Sequence, residues 1–435
     1  MSTTRIFPPP LPNQSAMMTA DPDPGPPSQT TPPTTLRRAI TLPLLVFYGL
    51  GVTIGAGIYV LVGATAVQAG IHAPVSFLVA AFVMLFSASS FSELSGRFPQ
   101  SAGEAAYVEA AFRLPSLTVL TGALLLVAGT ISASAIAVGC AGYVALLVPL
   151  PLWLIITLTV LFSGLVAAWG VVESVKFAAV LTIVEVLGLV VVVIAGIWHQ
   201  PEIILALPSV LPDPSDTPAL ASIGMASLLA FFAFIGFDGM VNIVEETENP
   251  ARNMPLGIFI TLMITTLLYF SVAAIAVLLL PLEDLGRSAA PISLLFESLT
   301  GMSPIAITLV AIAATLNGVI IQAILSARII YGMAKVGRLP KGLAQLNART
   351  RTPLLATALV TGCTLVFAVF FPIGILAERT SQVVLVVFIL INLSLLRIKW
   401  RGDPAPDGIF IVPAIVPVIG LVTCIAMLVG PVLIG

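Results

Sequence analysis

From Leu42 to its end the chain alternates long apolar runs with short polar joins. A helix that crosses a bilayer takes about 20 mostly apolar residues. Eleven runs are long enough: roughly 42–67, 74–95, 116–147, 152–170, 177–197, 219–245, 256–281, 304–334, 353–371, 380–397 and 409–434. The pattern predicts an all-α polytopic membrane protein with about 11 transmembrane helices. The join at 96–115 holds Gly103-Glu104-Ala105-Ala106-Tyr107-Val108-Glu109 and predicts a short interfacial helix; residues 286–300 predict another on the opposite side. Residues 1–37, rich in Pro, Thr and Ser and without an apolar run, read as a disordered cytoplasmic tail. They lack the apolar core of a signal peptide.

Two runs carry the wrong residues for a continuous helix. The first contains Val52-Thr53-Ile54-Gly55-Ala56-Gly57-Ile58-Tyr59. Glycine weakens a helix interior by about 1 kcal/mol relative to alanine and lets another group approach the main chain closely. The sixth run contains Phe231-Phe232-Ala233-Phe234-Ile235-Gly236-Phe237-Asp238-Gly239. Alone, the first stretch reads equally well as a binding site or as a small-residue packing face. Together the two shift the reading to function. Five spans separate them, an odd number, so two five-helix halves have opposite topology. Interrupted segments at matching positions of inverted halves point to a transporter site. The halves fall at 38–200 and 215–400, with an extra C-terminal helix at 405–435.

The helix ends dictate the chemistry. Around Ile54, Gly55, Ala56 and Gly57, free N–H groups opening the outer half of helix 1 suit a carboxylate. Carbonyls closing the outer half of helix 6, at Phe232, Ala233 and Ile235, suit an ammonium group. A zwitterion fits both, and an α-amino acid is the simplest one.

Mean hydropathy is +1.12 and only 9% of residues are charged, against about 25% in soluble domains. A net charge of −2 leaves no basic surface for nucleic acid. Cys140, Cys363 and Cys424 lie far apart in apolar runs, with neither metal-ligand nor disulfide spacing. No enzyme, nucleotide or metal motif is present, and no cofactor is expected. With the N-terminus in the cytoplasm, 16 of the 18 Lys and Arg fall in cytoplasmic segments, Arg287 and Arg379 being the exceptions. That bias sets the orientation in a cell membrane, and eleven spans put the C-terminus outside.

Three further stretches carry a family resemblance beside the Thr-Ile-Gly-Ala-Gly-Ile run. They are Gly236-Phe237-Asp238 with Glu245-Glu246-Thr247-Glu248-Asn249-Pro250-Ala251-Arg252-Asn253-Met254-Pro255; then Ser326-Ala327-Arg328-Ile329-Ile330-Tyr331-Gly332-Met333-Ala334-Lys335; then Gly337-Arg338-Leu339-Pro340 and Thr352-Pro353. From about residue 38 to 434 the chain resembles an amino acid permease of the amino acid–polyamine–organocation superfamily, similar to bacterial relatives of cationic amino acid transporters. The resemblance implies a five-plus-five inverted repeat and either proton coupling or substrate exchange. Family members usually have twelve or fourteen spans, against eleven here.

The remaining polar residues divide by position. Glu245, Glu246, Glu248 and Arg252 read as a structural cluster that pairs with the basic segment between helices 8 and 9. Asp238 reads as a cap of the inner half of helix 6 or, alternatively, as a residue facing the substrate, and lies beside the site in either case. Asn317 lies mid-span in helix 8, which lines the pathway in the resembling family, and is a site candidate. Phe234, just before the second break, is the gate candidate. Glu93, near a cytoplasmic helix end, is expected to reach water. Glu185 lies about 12 Å into helix 5 at 1.5 Å per residue. A carboxylate at that depth is a functional-site hypothesis, with the proton as coupling ion; a glutamate that only holds helix 5 against helix 1 is the alternative. The reading is a secondary active amino acid transporter, with the substrate between helices 1 and 6 and helices 3 and 8 completing the site. An exchanger, a polyamine carrier and a non-transporting amino acid sensor are the rivals.

Overall fold

A computed structural model of the chain describes residues 38–54, 57–99, 103–169 and 175–434. The tail expected over 1–37, and Gly55 and Ala56, lie outside the described residues. In chain order the helices are α1 (Leu42–Ile54), α2 (Gly57–Ala69), α3 (Ala73–Arg97), α4 (Gly103–Phe112), α5 (Pro115–Ala145), α6 (Leu152–Trp169), α7 (Val175–His199), α8 (Ile203–Ala206), α9 (Thr217–Phe234), α10 (Pro250–Leu279), α11 (Leu282–Arg287), α12 (Pro291–Thr300), α13 (Ile305–Lys335), α14 (Leu354–Phe370), α15 (Ile373–Trp400) and α16 (Ile415–Ile434). Among the described residues, eight helical stretches are long and apolar enough to cross a membrane; Leu42–Ile54, Leu354–Phe370 and Ile415–Pro431 are shorter apolar helices.

The first apolar run is carried by α1 and α2, and the sixth by α9 followed by a 3₁₀ stretch, Phe237–Glu246. Both short joins are helical, the first as α4 and the second as α11 with α12. α3 packs against α9, α10 and α16, while α5 packs against α13 and α15. The broken pair, α1–α2 and α9 with its 3₁₀ continuation, is thereby walled in on several sides.

The inner ends of the broken helices are tied together by backbone. The Ala39 and Ile40 N–H groups donate to the Glu246 carbonyl at 2.9 and 3.0 Å, and the Glu248 N–H returns a bond to the Ile40 carbonyl at 2.9 Å. This short strap, the only β contact among the described residues, holds the chain just before α1 to the end of the 3₁₀ stretch. Gly49 and Gly257 bring Met240 and Leu45 into the same inner packing: a β-carbon at Gly49 would lie 2.5 Å from Met240 Sδ, and one at Gly257 would lie 2.7 Å from Leu45 Cδ2.

Two expectations change here. Glu93 does not reach water; its side chain is fully buried at the end of α3. It pairs with Arg97 at 2.9 Å and with Lys399 of α15 at 2.7 Å, and it accepts the Val412 N–H at 2.9 Å. The last apolar run also becomes helical only from Ile415, not from 409. The cause is the same cluster. Val412 gives its N–H to Glu93 and its carbonyl to Lys399 Nζ at 2.6 Å, so neither group is free for a helix. Pro413 follows and supplies no N–H.

Removing one partner of a buried ion cluster leaves uncompensated charge and costs about 3–5 kcal/mol. Glu93→Ala is therefore expected to lower the melting temperature of the detergent-solubilised protein strongly, read by loss of the monodisperse peak on heating. A variant that melts with the wild type would mean that α3, α15 and the start of α16 are held by packing alone.

Candidate functional site

The two breaks meet through reciprocal glycine contacts. At Gly57, the first residue of α2, a β-carbon would lie 2.2 Å from Ala233 Cα, near the end of α9. At Gly236, which opens the 3₁₀ stretch, a β-carbon would lie 2.4 Å from the Val52 carbonyl oxygen near the end of α1. Gly236 also has φ +133°, a backbone region that side chains rarely adopt. Each broken helix starts its second half against the end of the other's first half. Gly57 therefore has both of the roles weighed for it: it is a packing contact, and it also faces a cavity.

One side chain spans the two breaks. Tyr269 of α10 is fully buried, and its Oη lies 2.9 Å from both the Thr53 and Ala233 carbonyl oxygens. Its single proton serves one of them at a time. The ring meets Phe234 edge-on at 5.1 Å between centroids. Tyr59 of α2 donates to the Glu185 carbonyl of α7 at 2.8 Å, and Tyr143 of α5 donates to the Tyr59 carbonyl. Three tyrosines thus fasten the broken helices to α5, α7 and α10.

Beside this knot lies a narrow cavity with about 30 Å³ of space for the centres of water-sized atoms, enough for about two waters. Helix α1 lines it with Gly51, Val52 and Thr53, and α2 with Gly57. Phe232 and Ile235 come from the second break, Ser132 and Ile136 from α5, and Gly318, Ile321 and Gln322 from α13. None of these carries a charge. Thr53 Oγ1 is buried without a hydrogen-bond partner. A buried hydroxyl left unpaired in a native fold asks for a partner.

Val52, Ser132, Ile235, Ile321 and Gln322 also line a larger vestibule of about 590 Å³. It extends towards Arg328 and Arg338, and its wall includes Glu104, Asp238, Asn242 and Ser326. Ser326 Oγ is fully buried without a partner. Glu104 is 5% exposed on α4, outside the membrane-crossing helices. Burial, with the Asp238 charge adding to it, pushes its carboxyl up to about 8.

The anticipated residues divide as follows. Gly57, Phe232 and Ile235 line the cavity, and Asp238 lines the vestibule. Ile54 is fully buried, and Ala233 packs on Gly57. Of the expected acceptor carbonyls, that of Phe232 receives the Ile235 N–H at 3.1 Å and that of Ala233 faces Tyr269. Phe234 lies against Tyr269, and Phe232 is the aromatic residue at the cavity. Asp238 accepts the Gly236 N–H at 2.9 Å, so its carboxylate turns back onto the break. Asn317 is 8% exposed next to Gly318, its Oδ1 without a hydrogen-bond partner. Glu185 is 2% exposed on the face of α7 that meets α1, within electrostatic reach of the Tyr59 and Tyr269 phenols. The cluster at Glu245–Glu248 is held to the start of α1 through backbone.

Gln322, Ser132 and Ile136 were not singled out as site residues. Spacing carried their signal: Gly318, Ile321, Gln322, Leu325, Ser326 and Ile329 fall at intervals of three and four on α13, one face of a helix.

The described residues thus form a bundle of helices long and apolar enough to cross a membrane, with a cavity where two of them are interrupted. A family model for amino acid permeases matches residues 40–434, and the chain belongs to that family. It is 31% identical over 398 residues to the mitochondrial cationic amino acid transporter 3 of Arabidopsis thaliana, covering 85% of this chain and 63% of that protein. It is 26% identical over 408 residues to the branched-chain amino acid permease BcaP of Bacillus subtilis (strain 168), covering 87% and 86%. It is 26% identical over 417 residues to the methylthioribose transporter of the same organism, covering 90% and 87%. The chain thus spans about 63% of the length of the plant relative.

Tyr269→Phe removes the hydroxyl that serves two buried carbonyls. It is expected to destabilise the protein by about 1–3 kcal/mol, read as a lower melting temperature. It should also weaken stabilisation by bound substrate, because the breaks lose their common anchor. Unchanged melting and unchanged ligand shift would show that the two carbonyls are satisfied without it.

Proposed function

We propose that the chain is a secondary active transporter that carries an amino acid with an apolar side chain into the cell. Its helices follow the five-plus-five inverted repeat, and it works by alternating access. The observation that carries this reading is the cavity at both breaks, lined by Val52, Ile136, Phe232, Ile235 and Ile321 with no charged residue. A cationic side chain there would be desolvated without a counter-charge, which is costly. The names of the relatives span charged and neutral cargo, and this lining favours the neutral kind.

The α2 N-terminus supplies donors for the carboxylate. The carbonyls of the second break keep lone pairs for the ammonium group, since each carbonyl oxygen has two. The reciprocal contacts of Gly57 and Gly236 support the inverted repeat, because a two-fold relation pairs such positions. The vestibule ends among Arg328 and Arg338, and the Lys and Arg bias assigns that end to the cytoplasm. The conformation is then inward-facing, the N-terminus is cytoplasmic and the C-terminus external.

The test is uptake into proteoliposomes. Leucine-like amino acids should accumulate, and arginine and lysine should compete at least about tenfold more weakly, a difference of about 1.4 kcal/mol. The methyl ester of a transported amino acid should compete poorly, since it leaves the donors at α2 unpaired. Equal competition by arginine would overturn the apolar assignment. Binding without accumulation would indicate a sensor, and uptake only against internal substrate an exchanger.

Glu185 is the proton-coupling candidate for inward transport. It is buried on α7, and the main-chain carbonyl of the same residue accepts the Tyr59 hydroxyl of α2, so a charge on its carboxyl arises beside the broken helix. Glu185→Gln keeps shape and removes titration. The variant should bind and exchange substrate but lose accumulation driven by a pH gradient. Unchanged pH-driven accumulation would leave Glu185 with a structural role only.

A further inference from the structure

The vestibule has a feature that substrate recognition does not use. The N-terminus of α4 is pressed against the inner half of helix 6. Gly103 has φ +49°, and a β-carbon there would lie 2.6 Å from Asn242 Oδ1. The next residue, Glu104, is buried and lines the vestibule together with Asp238. Asp238 is not a bystander at that hinge. It holds the N–H of Gly236, whose φ of +133° makes the break. A carboxyl on α4 and the carboxyl that fastens the hinge therefore border the same vestibule, which leads to Arg328 and Arg338.

We propose that Glu104 and Asp238 together hold one proton drawn from the cytoplasmic vestibule, and that its loss releases the inner half of helix 6 from α4. This rests on the transport reading above. Proton binding takes the pair from two negative charges to one, with hydronium leaving as water. With the proton in place the two carboxyls coexist at close quarters, as like charges in a shared site require. Without it they repel across the α4 contact, and the hinge residue beside Asp238 takes the strain.

Helix α1, packed on the 3₁₀ stretch, brings Tyr48 within reach of the Asp238 charge. From the 3₁₀ stretch come Asp238 and the neutral Asn242; from α13 and the loop beyond it come Arg328 and Arg338. Helix α4 adds the buried Tyr107, on which the Glu104 charge acts. Helices α5 and α15 offer the vestibule only uncharged residues, Thr118, Ser132, Thr380 and Val384 among them. Burial holds the Glu104 proton up to about pH 8. The latch is therefore closed below that pH and opens above it.

Two measurements test the latch on the full-length protein. The first is infrared difference spectroscopy of the purified protein, with no substrate added. A protonated-carboxyl band should bleach as pH rises through about 8, be absent in Glu104→Gln, and shift in Asp238→Asn. The second is substrate exchange in proteoliposomes with the external pH fixed and the internal pH varied. Wild-type exchange should rise about fivefold as internal pH crosses that midpoint, a low value for coupled sites. Glu104→Gln, which mimics the protonated form, should hold the low-pH rate throughout. The proposal is overturned if Glu104→Gln leaves the band in place, or if it responds to internal pH as the wild type does. If no amino acid is exchanged at all, the transport reading fails, while the infrared titration still decides whether the proton site exists.

Discussion

Backbone groups inside a bilayer have no water to bond to, and two interrupted helices set that constraint against itself. Each interruption frees carbonyls at one helix end and N–H groups at the next start. The protein satisfies part of them from within. Tyr269 serves the carbonyls of Thr53 and Ala233, one on each broken helix. The Ile235 N–H closes the end of α9, and Asp238 takes the Gly236 N–H. The start of α2 at Gly57 faces the cavity. Much of the architecture follows from keeping that imbalance stable: α10 is buried deeply to place one phenol, and α5 and α7 are fastened to α2 through Tyr143 and Tyr59.

The same constraint explains why glycines mark the breaks. Gly57 and Gly236 let each helix end touch the other's backbone, and no side chain fits at either contact. Close contact then makes the two breaks one mechanical unit. A shift at α1 is felt at Gly236 through the Val52 carbonyl, and a shift at α9 is felt at Gly57. The backbone strap between Ile40 and Glu246–Glu248 repeats this coupling at the inner ends. A ligand seated at the breaks would touch residues of both broken helices at once.

Much of this was legible from composition and spacing, because lipid imposes strong rules on sequence. The apolar runs fell on helices, and the interruptions were visible as glycine where a spanning helix should have none. What stayed hidden were contacts between residues far apart in the chain. Glu93 near a helix end reads as solvated; only the fold brings Lys399 and Val412 onto it, and their bonds delay the last helix to Ile415. Tyr269 sits in an ordinary apolar run, and nothing local announces that its hydroxyl spans two distant breaks. Phe234 and Phe232 are two residues apart on one helix and so point to nearly opposite faces, and it is Phe232 that meets the cavity. The α13 stripe from Gly318 to Ile329 was readable in principle, since helical spacing alone gathers Gln322 and Ser326 on one side.

Polarity is graded along the path, and the grading constrains the chemistry. The space at the breaks is apolar and uncharged, with Thr53, Ser132 and Gln322 as its polar points. Titratable and charged groups begin at the vestibule, with Asp238 and Glu104 on one side and Arg328 and Arg338 on the other. A charge at the breaks would hold its cargo through strong, slowly released contacts in a low dielectric. Charges in a wider space are screened and let go. The proposed recognition at the centre rests on backbone groups and the proposed proton site lies at the vestibule, so cargo choice and gating would draw on different residues. Glu185 is the exception at mid-depth, and it stands behind α1 on α7 rather than in the cavity.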